Sequence, residues 1–233
     1  MHSDQDVIIL CGGLGIRLRP VVGEQQKALA EVSGKPFLGI LIDSLAVAGF
    51  KRFILATGYQ KEAVREYINQ IYTDQTKLSF IFSEEDEPLG TGGAVKLALA
   101  QVKSEHVLVL NGDSFCDLDL INFFAAHTMA GAVLTLALLQ SDRIDGGRVQ
   151  VDHRGKVLGF LKKKTFQNLT ISTQECTGCK KKLQSICRLQ VSFLLRLTYF
   201  QKLSLRDHAT VIRQQKECST SVRRNGIKLH QIF

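Results

Sequence analysis

The feature that most constrains the fold is a regular alternation of short apolar segments with amphipathic ones along residues 1–140. Short runs rich in Val, Ile, Leu and Phe predict buried strands, and the segments between them have the apolar spacing of helices. The predicted strands cover residues 7–10, 53–56, 78–82, 107–110 and 132–139, and the predicted helices cover residues 36–48, 61–69, 94–102 and 118–127. This alternation predicts βαβ units with right-handed crossovers, and therefore a three-layer α/β/α fold with a mainly parallel sheet.

A glycine-rich turn follows the first of these strands. It contains Gly12, Gly13 and Gly15, and Arg17 and Lys27 follow it. Glycine lets backbone N–H groups approach a ligand without an intervening Cβ, and the two cations would attract negative charge. A strand, a glycine turn and nearby cations together suit a polyphosphate. The alternative is a tight turn without a ligand, because the spacing matches neither the P-loop nor the dinucleotide-binding pattern.

Two further turns fall at predicted strand ends. Residues 88–94, Pro-Leu-Gly-Thr-Gly-Gly-Ala, come after the third strand, and residues 111–113, Asn-Gly-Asp, end the fourth. Small residues in the first turn let a planar base lie against the backbone, and the Asp113 carboxylate is a natural ligand for Mg²⁺. Because the carboxyl ends of parallel strands share one edge of the sheet, all three turns can converge there. The alternatives are an ordinary loop before a helix and an aspartate that caps the next turn.

These segments resemble the sugar-phosphate nucleotidyltransferases. The family signature G-G-x-G-T-R-L-x-P is similar to residues 12–20, the lysine of its P-K pair matches Lys27, and its L-G-T-G-G-A loop matches residues 89–94. Ile16 stands where the family has Thr, and Gln26 stands where it has Pro. Within the family, these motifs resemble those of the bacterial heptose 1-phosphate guanylyltransferases. The resemblance implies a Rossmann-like nucleotidyltransferase fold that is incomplete at its carboxyl end.

The resemblance also implies a reaction. A sugar 1-phosphate oxygen attacks the α-phosphorus of a nucleoside triphosphate, GTP first among them, and pyrophosphate leaves; the product would serve bacterial surface polysaccharide synthesis. Mg²⁺ is the implied cofactor, with Asp113 as its ligand. The implied catalytic residues are Arg17, Lys27 and Asp113. The implied nucleotide-binding residues are Leu10, Gly12, Gly13, Gly15, Arg17, Lys27, Leu89, Gly90, Thr91 and Gly92. The acidic run at residues 84–87 is interpreted as a solvated turn.

The resemblance ends after a hairpin. Apolar and polar residues alternate within residues 148–160 on both sides of a turn at Gly155, which predicts a β-hairpin. The family has a similar hairpin before an I-N-A-G strand. Lys163 stands for the family's sugar-phosphate-binding lysine. We therefore assign residues 1–164 to a nucleotidyltransferase domain and residues 165–233 to a tail outside the family pattern.

The tail is set apart by its charge and by the lack of any strand–helix alternation. Residues 161–233 contain 15 Lys and Arg against 3 Asp and Glu, whereas residues 1–160 contain 15 against 19. The net charge of +8 therefore comes from the end of the chain. A basic tail of this kind could bind nucleic acid, although no aromatic pattern accompanies it.

A shifted reading frame explains the tail better. With third bases chosen freely, codons for residues 170–179 read in another phase encode His-Ile-Asn-Ala-Gly-Val-Tyr-Arg-Leu, which is the missing strand. In the same phase, residues 189–210 and 218–224 recover later family motifs, including a second metal-binding aspartate. We interpret the tail as frameshifted by loss of one base between residues 161 and 168. We expect it to be poorly packed and not to extend the sheet in the family's manner.

Other interpretations of the chain stay open. It could be an inactive remnant of such an enzyme, and the cysteines of the tail, Cys176, Cys179, Cys187 and Cys218, could bind zinc despite their irregular spacing. The polar start and the lack of a long apolar stretch predict a cytoplasmic protein without a membrane partner. Nothing in the sequence determines the base, the sugar or the oligomeric state.

Overall fold

The computed structural model describes residues 4–13, 26–140, 148–152, 156–161, 186–196 and 209–214. The chain divides into two compact units, Met1–Cys116 with Cys218–Phe233, and Asp117–Glu217. Among the described residues, no helix combines the length and the apolar character needed to cross a bilayer.

The described part of the first unit is built on a parallel sheet. Its strands are β1 (Asp6–Leu10), β4 (Arg52–Thr57), β5 (Ser79–Glu84) and β6 (His106–Asn111). They lie in the order β6-β1-β4-β5, and every neighbouring pair is parallel. A short antiparallel hairpin, β2 (Glu31–Val32) with β3 (Lys35–Pro36), forms a separate sheet. The middle strands are apolar on both faces: residues 7–9 of β1 and residues 107–109 of β6 are fully buried.

Helices cover both faces of this sheet. They are α1 (Phe37–Val47), α2 (Lys61–Tyr72) and α3 (Gly90–Leu99). The chain advances from β1 to β4 to β5 and then returns to β6, so right-handed crossovers place α1 and α2 on one face and α3 on the other. Tyr72 joins two of these helices to the sheet, because its ring packs on Phe80 and its hydroxyl donates a 2.8 Å hydrogen bond to Asp43. The three-layer α/β/α arrangement predicted from the sequence is confirmed.

The second unit contains one helix and five strands among its described residues. The helix α4 (Leu120–Met129) begins after Asp119, whose side chain accepts a 3.0 Å hydrogen bond from the Asn122 N–H. The strands are β7 (Leu134–Gln140), β8 (Arg148–Val151), β9 (Val157–Leu161), β10 (Ile186–Arg196) and β11 (Ala209–Gln214). Strands β8 and β9 are antiparallel, so the predicted hairpin is confirmed.

Two strands lie in the tail, for which the sequence predicts none. Strand β10 pairs antiparallel with β7 and β8, and β11 pairs parallel with β7. Short runs of Ile, Val, Leu and Phe suit an apolar neighbouring strand even without a strand–helix period around them, and the sequence pattern assigns neither of these two segments to a strand. The frameshift and the poor packing of the tail stay predictions.

The close fit of Gly112 against β1 can be tested by adding one methyl group. The Gly112 N–H donates a 2.9 Å hydrogen bond to the Leu10 carbonyl. A Cβ at Gly112 would lie 2.9 Å from the Cys11 Sγ and 3.0 Å from the Leu10 oxygen. We expect Gly112→Ala to lower the free energy of unfolding by about 1–3 kcal/mol in urea denaturation.

The matched control is Gly159→Ala, since nothing lies within 4 Å of a Cβ built there. It should unfold at nearly the urea concentration of the parent. A Gly112→Ala variant as stable as the Gly159→Ala variant would show that the contact between β1 and the end of β6 is looser than described.

Candidate active site

A cavity of about 350 Å³ lies at the carboxyl edge of the sheet in the first unit. Four segments form its wall: the end of β1 and the glycine turn, the turn that carries Lys27, the segment between β5 and α3, and the end of β6. Because β1, β4, β5 and β6 are parallel, all the turns that leave their carboxyl ends meet at this edge. The structure thus brings together three turns that are separated by up to about a hundred residues in the sequence.

Most of the predicted site residues within the described part of the chain line this cavity. They are Leu10, Gly12, Gly13, Lys27, Gly90, Thr91 and Asp113. Leu89 and Gly92 belong to the same segment as Gly90 but do not line the cavity, and the Leu89 side chain is half exposed. Gly15, Arg17 and Lys163 lie outside the described residues.

An ion pair between Lys27 and Asp113 crosses the cavity. Lys27 opens a single 3-10 turn, Lys27–Leu29, which is held in place by the buried side chains of Ala28 and Leu29. Its Nζ donates to Asp113 Oδ2, and Asp113 Oδ1 accepts a 3.0 Å hydrogen bond from the Ser114 hydroxyl. Both side chains of the pair are about three-quarters removed from solvent, so each charge depends on the other for compensation.

The thiol of Cys11 forms part of the cavity wall next to this pair. Burial raises the pKa of the Cys11 thiol, and the negative charge of Asp113 raises it further. The thiol therefore stays neutral at physiological pH and does not act as a nucleophile, since the thiolate is the reactive form. It contributes an uncharged group to the packing around the cavity wall.

Helix α3 begins four residues earlier than the sequence predicts. Gly90 has φ +68°, a backbone conformation that glycine adopts readily, and the helix runs from this residue. The glycine-rich segment is consequently the first turn of α3 instead of a loop before it. Backbone N–H groups at a helix N-terminus have no intrahelical acceptor, so this edge of the cavity presents donors to a ligand.

Glu85 is a cavity residue that sequence reasoning missed. Its Oε2 accepts a 3.1 Å hydrogen bond from the Leu89 N–H, and the side chain lines the cavity beside Gly90 and Thr91. The interpretation of residues 84–87 as a solvated turn did not identify Glu85 as a residue of the cavity wall. Four adjacent acidic residues look alike in sequence, and only the path of the chain after β5 decides which one points inward.

The neighbouring Glu84 has a different role. It forms ion pairs with Arg65 and Lys61 on α2, and hydrogen bonds from these two cations hold the pKa of Glu84 below its ordinary value. This carboxylate therefore joins α2 to the end of β5 and is not available to the cavity.

Among the described residues of the cavity, Asp113 could hold one divalent cation. The Asp113 carboxylate supplies a hard oxygen ligand, and within the described residues no three His, Cys, Asp or Glu side chains come together as a metal cluster. Mg²⁺ is commonly held in this way, by one or two carboxylates together with phosphate and water oxygens.

The coupling across the cavity can be measured with a double-mutant cycle. Lys27→Met and Asp113→Asn should each destabilise the fold, and the double variant should lose less than the sum of the two, with a coupling energy of about 1 kcal/mol in urea denaturation. The control is the pair Lys35–Asp43, whose side chains are nearly half exposed, and whose coupling should be smaller because water screens it. Equal coupling in both cycles would contradict the partly buried character of the Lys27–Asp113 pair.

Comparison with known proteins agrees with this geometry. The family model described as "Nucleotidyl transferase" matches residues 6–173. Two relatives are D-glycero-alpha-D-manno-heptose 1-phosphate guanylyltransferases. The one from Aneurinibacillus thermoaerophilus is 38% identical over 68% of this chain and 67% of its own length; the one from Campylobacter jejuni is 40% identical over 67% of each.

Solved structures show the same fold. HddC from Yersinia pseudotuberculosis, complexed with GMP-PN, has a TM-score of 0.70 at 24% identity and is covered over 93% of both chains. A putative glucose-1-phosphate thymidylyltransferase from Bacillus anthracis has a TM-score of 0.71 at 18% identity, over 93% of this chain and 89% of that one. Because the family model covers well over half of the chain, this protein belongs to the nucleotidyl transferase family.

Proposed function

We propose that this chain catalyses the transfer of a guanylyl group from GTP to a sugar 1-phosphate, with release of pyrophosphate. The observation that carries the proposal is the cavity in which a glycine turn, Lys27, Asp113 and the N-terminal turn of α3 meet at the carboxyl edge of a parallel sheet. Two relatives at 38 and 40% identity are heptose 1-phosphate guanylyltransferases, and a structure of the same fold was solved with GMP-PN. These names support a heptose 1-phosphate as the acceptor.

The geometry suggests how the triphosphate is held. Gly12 and Gly13 let phosphate oxygens approach the backbone after β1, and Lys27 supplies a positive charge at the same side of the cavity. Arg17, which follows the same turn in sequence, is proposed as the second cation. Without ligand, the charge of Lys27 is compensated by Asp113. A bound triphosphate would take over Lys27, and Asp113 would then be released to hold a cation.

The cofactor proposed for this site is Mg²⁺, with Asp113 as its protein ligand. When bound, it would neutralise charge on the phosphate oxygens as the bond to the pyrophosphate leaving group breaks. The protein's own share is positional. Lys27 holds the leaving phosphates, and the remainder of the site keeps the attacking sugar phosphate in line with that bond. Lys163 is proposed to bind the sugar phosphate.

Glu85 supports guanine as the base. Its Oε2 accepts a hydrogen bond from the Leu89 N–H, and the residue lines the cavity together with Gly90 and Thr91. A carboxylate accepts hydrogen bonds only, and guanine presents two adjacent donors, N1–H and N2–H₂, on its Watson–Crick edge. Adenine and cytosine present one donor beside an acceptor there, so a carboxylate would meet a lone pair on either of them.

Exchange of this carboxylate for an amide tests the base preference. We expect Glu85→Gln to lower kcat/KM for GTP about tenfold or more, because a hydrogen bond to a charged group contributes roughly 1.5–3 kcal/mol. The kcat/KM for ATP should change less, so the ratio of the two is the measured quantity. Glu87→Gln, at an exposed position of the same acidic run, is the control. If Glu85→Gln leaves the ratio of kcat/KM for GTP to kcat/KM for ATP unchanged, Glu85 does not recognise the base.

The activity of the chain as translated depends on the tail. The family's second metal-binding aspartate lies in a D-I-G-T-P segment that this sequence lacks; beyond Glu175 its carboxylate side chains are Asp207 and Glu217. We propose that turnover is low for this reason. The alternative is that the chain is an inactive remnant of such an enzyme.

Pyrophosphate release tests the function and the tail together. We compare the chain as translated with a chain in which one base is restored near codon 163, using GTP, Mg²⁺ and heptose 1-phosphate. The repaired chain should release pyrophosphate at least about a hundredfold faster, since a lost metal contact removes several kcal/mol of transition-state stabilisation. Equal rates would refute the frameshift, and no release from either chain with any sugar 1-phosphate would refute the proposed reaction.

A further inference from the structure

Gln26 is a polar residue that is almost completely buried in the wall of the cavity. It precedes Lys27, where the family signature has proline, and its side chain is 2% exposed in the wall of the cavity. Both polar atoms of its amide are engaged: Nε2 donates to the carbonyl oxygen of Cys11, and Oε1 accepts from the N–H of Ala28. A buried amide whose nitrogen and oxygen are both hydrogen-bonded is held firmly, because breaking either bond would leave a buried polar atom without a partner in the protein.

These two hydrogen bonds connect the two segments that carry the phosphate-binding groups. Cys11 is the first residue after β1 and leads into the glycine turn, whereas Ala28 lies in the 3-10 turn that presents Lys27. We propose that Gln26 is a positioning residue that locks the Lys27 turn against the glycine turn, so that Lys27 is directed into the cavity. This inference deepens the proposed function and rests on it, because it assumes that the two turns together bind the triphosphate.

The backbone of Gln26 shows how the substitution for proline is tolerated. Gln26 has φ −60° and ψ 126°; this φ is the one that a proline ring imposes, and proline readily adopts this ψ. A proline would stiffen the entrance to the Lys27 turn through its ring, without any side-chain hydrogen bond. Gln26 reaches the same backbone conformation and stabilises it from the side chain. The glutamine therefore positions Lys27 by side-chain hydrogen bonds, where proline would do so by its ring. We expect the chain to bind a triphosphate despite this difference from the family pattern.

The first test replaces the amide with an apolar group of similar size. We expect Gln26→Leu to weaken the binding of GTP about tenfold, the equivalent of about 1.4 kcal/mol, in calorimetric titration with Mg²⁺. The affinity for GMP should change by less than about twofold, because GMP lacks the outer phosphates that the two turns bind. Gln70→Leu, on the exposed side of α2, is the matched control and should bind both nucleotides like the parent.

Gln26→Pro distinguishes positioning from direct contact with the ligand. If Gln26 acts by holding the turn, proline should bind GTP nearly as well as the parent and clearly better than leucine. If Gln26→Pro loses as much GTP affinity as Gln26→Leu, the amide itself contacts the nucleotide, and the positioning role is wrong. Equal losses of GTP and GMP affinity in Gln26→Leu, together with a lower unfolding midpoint, would also overturn it, since they would indicate a general structural role.

A ligand-free measurement decides the case in which the parent binds neither nucleotide. That result would refute the proposed function. Amide hydrogen exchange at Ala28 would still report whether the Gln26 side chain holds the Lys27 turn. Exchange at Ala28 should be faster in Gln26→Leu than in the parent, whereas exchange at Val109, in the middle of β6, should be unchanged. Unchanged exchange at Ala28 would overturn the inference independently of any nucleotide.

Discussion

The ion pair between Lys27 and Asp113 is the interaction on which the site depends. It joins two residues that are 86 positions apart, one after β1 and one after β6. The pair can form because β1 and β6 are adjacent parallel strands with Leu10 opposite Asn111, so the turns that leave them start side by side. Each charge compensates the other, which keeps two partly buried ionic groups compatible with the fold. A bound triphosphate would pair with Lys27 and its cation would pair with Asp113, so neither charge would be left uncompensated.

The described strands of the first unit hold this edge of the sheet in place. Strand β1 lies between β4 and β6 and is apolar on both faces, so its end cannot shift without exposing buried surface. Gly112 lets the end of β6 approach the Leu10 carbonyl directly, and the neutral thiol of Cys11 fills the space beside it. Gln26 then ties the Lys27 turn to the same strand end. The site therefore rests mainly on backbone atoms and short side chains, with the Gln26 side chain as a connection between two turns.

Two departures from the family pattern have different physical meanings. Gln26 replaces a proline but keeps the backbone conformation of proline and adds two hydrogen bonds, so the described structure compensates for the change. The tail differs, because the frameshift proposed for it would remove the family's second metal-binding aspartate, and no local substitution would compensate for that loss. Strands β10 and β11 of the tail nevertheless pair with β7. Strand pairing needs little more than β-propensity and an apolar partner, whereas a metal ligand needs one residue type at one position.

The sequence by itself determined the fold class and the segments that meet at the site. Periodicity identified the strands and helices of the first unit, and the parallel topology that follows from them requires the turns after β1, β5 and β6 to share one edge. Local patterns could not show which members of those segments face the cavity. Glu85 points inward while Glu84 pairs with α2, Leu89 turns away while Gly90 begins α3, and Gln26 bridges two turns instead of marking a defect. Tertiary structure decided these points, because the direction of a side chain in a turn depends on the strands and helices that surround it, and those neighbours are distant in the sequence.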